Sequence, residues 1–411
     1  MPLKEEPFSD QVVRPFFSGL LPDEGARQRL AGALGLSAGN AFGLLEVIGG
    51  ECAGALSLYP TGTAPRPSGQ SQAEILTTER LDEILSRLRT RPLLGGDEGI
   101  RLSLAGAQDK LAVIVDGDSI ALARDCRPTT HILKPVIQGL EGTVENEYFC
   151  MRLAARLKLP VPHVEIRLDG ATAFLLVERY DRTKAADGIN ERLHQEDFCQ
   201  ALSVPPELKY EAEGGPGTGH ALGLIDQACA RPVADRLQFI RMLIFHYLVG
   251  SADAHGKNYA LLYGSDEPDL APIYDVVCTA VYPRLSKRLA MKIGGRDVPD
   301  TIQLKHWKTL VPETKSSQRI LVRDLAQMAE RIVSEADAHV AELADEGIRH
   351  PSLMQFARSS QSGLVHCRES RSRSLKQWNG LDIHRFVLGQ TGRWFESFQE
   401  LNRRSKIWLR F

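Results

Sequence analysis

The stretch Ser251-Ala252-Asp253-Ala254-His255-Gly256-Lys257-Asn258 decides how this chain is read. Before it, Leu237 to Val249 is apolar on nearly every helical face, which predicts a helix running through a core. After it come Tyr259-Ala260-Leu261-Leu262-Tyr263, a turn containing Gly264 to Pro268, and Asp269-Leu270-Ala271-Pro272-Ile273-Tyr274-Asp275, which together predict a β-hairpin. Pairing across that hairpin would place Asn258 beside Asp275. An acid, an imidazole, an amine and an amide are thus crowded into one loop whose two ends are both anchored.

An acid, an amide five residues on and a second acid beyond a short hairpin are what a protein kinase site requires. Asp253 would accept the proton of the attacking hydroxyl, and Asn258 and Asp275 would hold magnesium on the phosphates. Oxygen donors suit that hard cation. A polar loop that merely caps a core helix would look similar, and His255 alone reads as a structural hydrogen-bonding residue. No HxxxH or HExxH spacing accompanies it to suggest zinc.

The other parts of such a site can be sought along the chain. Lys134 ends a predicted strand, His131-Ile132-Leu133-Lys134, and could reach the phosphates. The predicted helix after Thr143 puts Glu147 on the same face as Val144, Tyr148 and Met151, a costly position for an unpaired carboxylate. Lys134 is its natural partner, unless Glu147 pairs elsewhere or reaches solvent. Ser103-Leu104-Ala105-Gly106-Ala107-Gln108-Asp109-Lys110 is small and flexible enough to give backbone donors to phosphates. It is not GxGxxG, and alone it reads equally as a plain turn. Val177 to Asp181 lies between sheet-rich and helix-rich parts, where backbone groups of Glu178 and Tyr180 could bind adenine.

The surrounding texture supports two lobes. Helical patterns follow Pro22 to Gly25 and Ser37, and Thr78 caps another with Leu81, Ile84, Leu85 and Leu88 on one face. Thr61 to Gln72 reads as a loop, and this first α/β module closes near Gly95-Gly96. From Ile100 onward strands dominate, with one hairpin turning at Asp116-Gly117 and another at Asp169-Gly170. After about Gln195 the pattern is mostly helical. The expected fold is α+β and two-lobed like a protein kinase, with a sheet-rich N-lobe and a helix-rich C-lobe. The expected divisions are 1–97, 98–190, 191–350 and a tail, 351–411. No internal repeat is present.

Composition excludes several classes. The 411 residues are 43% hydrophobic and 25% charged, as in ordinary globular proteins, and the net charge of -2 argues against nucleic-acid binding by bulk charge. From Glu346 onward 12 Lys+Arg face 5 Asp+Glu, so the tail carries +7 and the body -9. The seven cysteines form no CxxC pair, which favours reduced thiols and a cytoplasmic setting. No apolar run approaches a membrane span and no secretory leader is evident, so a membrane role is not expected.

The ensemble resembles the HipA family of bacterial serine/threonine kinases, the toxin halves of toxin–antitoxin pairs. The similar stretches are SLAGAQDKLA, THILKP, VENEYFCMRLA, VERYDR, HQEDFCQAL, KYEAEGGPG, SADAHGKN and PIYDVV, in that order, within Phe16 to Ser360. The first module also resembles the N-terminal domain of these kinases. The resemblance implies Asp253 as catalytic base, Asn258 and Asp275 as magnesium ligands, and Lys134 on the phosphates, positioned by Glu147. It implies ATP contacts from the Ala105, Gly106, Ala107, Gln108 and Lys110 loop and from His255 and Tyr274, with Glu178 and Tyr180 holding adenine and Gln195 to Asp197 packed nearby. Ser103 falls where the family's phosphate loop can itself be phosphorylated, displacing the loop and blocking ATP. Lys209, Tyr210, Gly214 and Gly215 fall in a segment that would face a protein substrate. The implied cofactors are ATP and Mg2+. The implied partners are a HipB-like helix-turn-helix antitoxin, through which DNA would be contacted indirectly, and a cytosolic protein substrate such as an aminoacyl-tRNA synthetase.

Two departures stand out. Ser251-Ala252 precede Asp253 where the family often has an asparagine, and the basic final stretch with Trp378, Trp394 and Trp408 has no counterpart. A nucleotide-sensing corepressor seated on an antitoxin, and a small-molecule kinase of similar fold, remain open readings. Lys257 could face the transferred phosphate or pair with Asp253.

Overall fold

The computed structural model describes residues 5–63, 73–124, 127–169, 172–184, 190–264 and 267–348, with positions 350, 353 and 355. The tryptophans of the basic tail lie outside the described residues.

The N-terminal helices form where apolar spacing and caps agree. They are α1 (Asp10–Gly19), α2 (Glu24–Leu34) and α3 (Ala41–Ile48), followed by a short strand, β1 (Ala73–Ile75), and α4 (Thr78–Leu88). Leu81, Ile84, Leu85 and Leu88 form the buried stripe of α4. Its cap is Thr77 rather than Thr78: the Thr77 hydroxyl accepts the Arg80 N–H at 3.3 Å, because only the residue before the first turn can bond back to it.

Next come β2 (Leu111–Asp116), β3 (Ser119–Ala123), β4 (His131–Pro135), α5 (Thr143–Arg156), β5 (Val164–Asp169) and β6 (Thr172–Glu178). With β1 these strands form one antiparallel sheet in the order β1-β3-β2-β4-β6-β5. Side chains alternate across it. Leu175 and Val177 of β6 pack with α5, whereas Phe174 and Leu176 join the core of the N-terminal helices. The first 97 residues therefore have no core apart from this lobe: their strand extends its sheet, and their helices cover Leu111, Val113, Leu122 and Leu133.

The second lobe holds the ribbon β7 (Arg182–Lys184) and β8 (Asn190–Arg192), then β9 (His194–Asp197), α6 (Phe198–Ala201), α7 (Thr218–Ala228), α8 (Pro232–Val249), β10 (Ala260–Tyr263), β11 (Asp269–Leu270), α9 (Leu304–Lys308) and α10 (Lys315–Asp345). β10 pairs with both β9 and β11. The hairpin after Asn258 is shorter than its sequence suggests. Ala271 still donates to the Ala260 carbonyl at 2.9 Å, but Pro272 has no N–H and the chain leaves the ladder. Together the lobes make a two-lobed kinase-like fold. Among the described residues no helix is long and apolar enough to cross a membrane, and the cysteines Cys52, Cys150, Cys199, Cys229 and Cys278 are buried and form no disulfide.

Candidate active site

The opening stretch leaves α8 through Gly250, left-handed at φ 72, a conformation that costs glycine little. The Ser251 N–H bonds the His246 carbonyl at 2.9 Å, and the Ala252 N–H bonds the Thr279 hydroxyl at 2.9 Å. Asp253 thus projects from a fixed loop, its side chain exposed, and its Oδ1 accepts the Tyr210 hydroxyl at 2.7 Å. A tight turn over Gly256–Asn258 follows, and Asn258 Nδ2 donates to the Asp275 carbonyl at 3.4 Å. Asn258 and Asp275 are therefore neighbours, as the hairpin requires.

Asp275 sits at φ 57, a left-handed conformation unusual for aspartate. Lys134 Nζ reaches its Oδ1 at 2.7 Å and Glu147 Oε1 at 2.6 Å, so one ammonium bridges the sheet, α5 and the loop after β11. Burial disfavours every charge here. The attraction of Lys134 and Lys110 nevertheless holds the Asp275 carboxyl well below the usual carboxylate range. Burial likewise opposes the Lys134 charge, but Asp275 and Glu147 outweigh it and keep the amine protonated. Burial raises the Glu147 carboxyl above its ordinary value, against the pull of Lys134.

The loop Ser103 to Lys110 closes over these groups. Gly106 has φ +108, and a Cβ there would lie 2.5 Å from Lys110 Nζ, so only glycine fits. Lys110 Nζ donates to the Ala105 carbonyl at 2.8 Å, and burial lowers its pKa. Gln108 Nε2 donates to the Pro135 carbonyl at 3.2 Å. Ser103 is fully buried: its hydroxyl donates to the Leu20 carbonyl at 2.7 Å and its N–H to the Glu51 carbonyl at 2.8 Å.

At the end of β6, the Glu178 N–H is held by the His163 carbonyl at 2.8 Å. The Tyr180 ring lies 5.4 Å from that of Tyr274, and its hydroxyl bonds Gln195. The Tyr274 hydroxyl donates to the Lys257 carbonyl at 2.7 Å. His255 is buried with its ring edge-on to Tyr210, and burial pulls its pKa down to about 3, so it is a neutral imidazole.

Two side chains differ from their sequence reading. Lys257 meets neither Asp253 nor the phosphate region; it turns inward to Asp197 Oδ2 at 3.1 Å and the Gly19 carbonyl at 3.0 Å. Lys209 does not face outward with Tyr210. It is buried and pairs with Asp23 at 3.1 Å. In the same segment, a Cβ on Gly215 would lie 1.9 Å from the Leu208 carbonyl, whereas Gly214 at φ +98 has open space around it.

Sequence reasoning missed the acids that bind the N-terminal helices to the site. The buried Glu51 meets Arg179 at 3.3 Å and Arg182 at 2.8 Å, and Arg179 also holds Asp181 at 2.8 Å. The end of α1 offers three carbonyls: Phe16 accepts from Gln200 at 3.0 Å, Gly19 from Lys257, and Leu20 from Ser103. The only sequence signal was Glu51 in the otherwise uncharged run from Val47 to Ser57.

Among the described residues no three His, Cys, Asp or Glu side chains cluster to hold a metal by themselves. Magnesium seldom needs such a cage, since one or two protein oxygens plus phosphates and water complete its shell. An ionised Asp275 beside Asn258 fits that habit.

Known proteins resemble this chain along most of its length. Residues 102–340 match the HipA-like C-terminal domain and residues 1–59 the HipA N-terminal domain. Sinorhizobium fredii Y4mE, named as a candidate kinase, is 45% identical across 83% of this chain and 82% of its own length. The serine/threonine-protein kinase toxin HipA of Shewanella oneidensis is 31% identical across 81% of this chain and 78% of its own. Among solved structures, Shewanella oneidensis HipA in complex with HipB and operator DNA matches with a TM-score of 0.74 and 28% identity, covering 90% of this chain and 88% of that one. With both domains matched in order and the lysine, acid and amide positions brought together in one site, this chain belongs to the HipA family.

Proposed function

We propose that the protein is an ATP-dependent serine/threonine protein kinase of the toxin–antitoxin type. The observation that carries this reading is the Lys134 ammonium held between Glu147 and Asp275, with Asn258 against the Asp275 backbone. Structural ion pairs are common, but this one ends at an ionised carboxylate five residues beyond the second strand of a hairpin that begins at the amide.

In this reading Asp253 accepts the proton of the attacking hydroxyl, taking the place on Oδ1 now filled by Tyr210. Lys134 and Lys110 give positive charge to the phosphates. Asn258 and Asp275 would hold magnesium, which supplies charge neutralisation on the phosphates when bound. Backbone of the Ala105 to Gln108 loop covers the phosphates, and Glu178, Tyr180 and Tyr274 line the adenine side with the neutral His255 near the catalytic loop. The acceptor is a cytosolic protein, with an aminoacyl-tRNA synthetase the first candidate from the family resemblance. The partner is a HipB-like antitoxin, supported by the complex in which the Shewanella oneidensis relative was solved.

Ser103 is proposed as the site of self-limitation. A phosphoserine carries about -1.5 to -2 charges, which cannot be stored in a fully buried position between the Leu20 and Glu51 carbonyls. Modification would therefore keep the loop displaced.

The test is incubation of the full chain and of Asp253→Ala with magnesium and labelled ATP, followed by mapping of the phosphorylated residue. Label on Ser103 in the wild type and its loss by about 10²–10⁴-fold in the variant is the expected result. Intact ATP binding with no transfer, in protein shown by mass to be unphosphorylated, would move the assignment to a nucleotide-binding corepressor or to a small-molecule acceptor.

A further inference from the structure

Asn146 is fully buried one residue before Glu147, and the site as described leaves it without a role. Its side-chain amide grips the backbone of a residue 132 positions away. The Cys278 N–H donates to Asn146 Oδ1 at 2.8 Å, and Asn146 Nδ2 donates to the Cys278 carbonyl at 3.0 Å. The opposed N–H and C=O fix which end of the amide is which. Nδ2 also approaches the Tyr282 hydroxyl at 3.3 Å, and the Cys150 thiol lies 3.5 Å from Oδ1.

Cys278 is three residues beyond Asp275. The segment between them is thus tied at both ends to one turn of α5: at Asp275 by Glu147 through Lys134, and at Cys278 by Asn146 directly. Left-handed aspartate is disfavoured, and such a conformation persists only where its surroundings over-determine it. Removing the Glu147 anchor alone would leave the Cys278 end fixed. Removing Asn146 would free the backbone that sets the Asp275 conformation.

We propose that Asn146 is a positioning residue for phosphoryl transfer: its amide clamp on Cys278 holds Asp275 in the left-handed conformation that directs its carboxylate to Lys134 and to the metal-binding position beside Asn258. This inference rests on the kinase reading above. Asn146 touches no reacting group. It acts through Asp275, so its loss is felt where Asp275 is used and not where adenine is bound.

The experiment is calorimetric titration of ATP into the full chain with and without magnesium, for wild type, Asn146→Ala, Asn146→Asp and Tyr282→Phe, with amide exchange followed over residues 275–278. In Asn146→Ala, metal-free ATP affinity should stay within about twofold while the strengthening by magnesium falls about tenfold or more, the order expected from losing two net hydrogen bonds. Exchange at 275–278 should accelerate. Tyr282→Phe, which keeps the Cys278 clamp, should match wild type. A less stable Asn146→Ala that keeps the full magnesium effect would overturn the proposal. Should that variant not fold, Asn146→Asp decides, because it keeps the acceptor for the Cys278 N–H and loses the donor; an undiminished magnesium effect there is equally fatal. Wild-type binding that ignores magnesium would instead sink the kinase reading itself, and this inference with it.

Discussion

At the scale of single residues, the site is built from groups whose charge states are set by burial and one or two neighbours. Three histidines carry a measurable consequence. Burial pulls His255 down to about 3 and His246 and His339 to about 4, all below their ordinary value of 6.5. As pH falls below about 6.5 the unfolded chain takes up these protons and the folded one does not. Stability is therefore lost over the window from 6.5 down towards 4, by about 1.4 kcal/mol per pH unit for each histidine. Urea unfolding at pH 7, 6 and 5 should show that loss. His339→Phe, which keeps an aromatic ring against Phe149, should remove one histidine's share of it; equal slopes for the two proteins would refute the assignment. Legibility at this scale followed chemistry. Lys134 and Glu147 could be paired from sequence because a carboxylate on an apolar face demands a cation. Lys257 and Lys209 could not, because their partners Asp197 and Asp23 announce nothing until the fold brings them together.

Among elements, α4, α5 and α8 and the two hairpins of the first sheet were readable because apolar period and turn chemistry agree in each. β9 was not. His194-Gln195-Glu196-Asp197 has no strand composition, and its pairing is imposed by β10. The segment from Lys209 to Gly215 was legible as a feature but not as a shape. Its Gly215 N–H bonds the Tyr210 carbonyl at 2.9 Å, and Lys209 receives the Gly256 N–H on its carbonyl at 3.1 Å. These bonds lay Tyr210 against Asp253. Gly215→Ala must push the Leu208 carbonyl aside and move that tyrosine. Transfer to a protein acceptor should fall about 10²-fold with nucleotide affinity little changed. Gly214→Ala, with only its φ to resist, should cost about 1 kcal/mol of stability and leave transfer near wild type. Steady-state kinetics of the two variants, read beside their melting curves, checks the contrast.

For the whole molecule, sequence reading placed a break near Gly95-Gly96, and what it could not show is which surface covers which. The helices before that point cover Leu111, Val113, Leu122, Leu133, Phe174 and Leu176, all at most 1% exposed. Full burial of such side chains is worth roughly 1.5–3 kcal/mol each, so the six together rival the entire stability of a typical domain, about 5–15 kcal/mol. A chain beginning at residue 98 should be insoluble when expressed alone, and residues 1–97 supplied as a second chain should recover it; a soluble, cooperatively melting truncation would contradict the shared core. The carbonyls at the end of α1 add a matter of timing. Gly19 waits for Lys257, 238 residues later in the chain. At about 5–20 residues per second of synthesis that is roughly 12–48 s. A nascent chain on the ribosome thus carries an open-ended first helix until the loop from Ser251 to Asn258 has emerged, and the N-terminal helices cannot be locked to that loop before translation is well advanced.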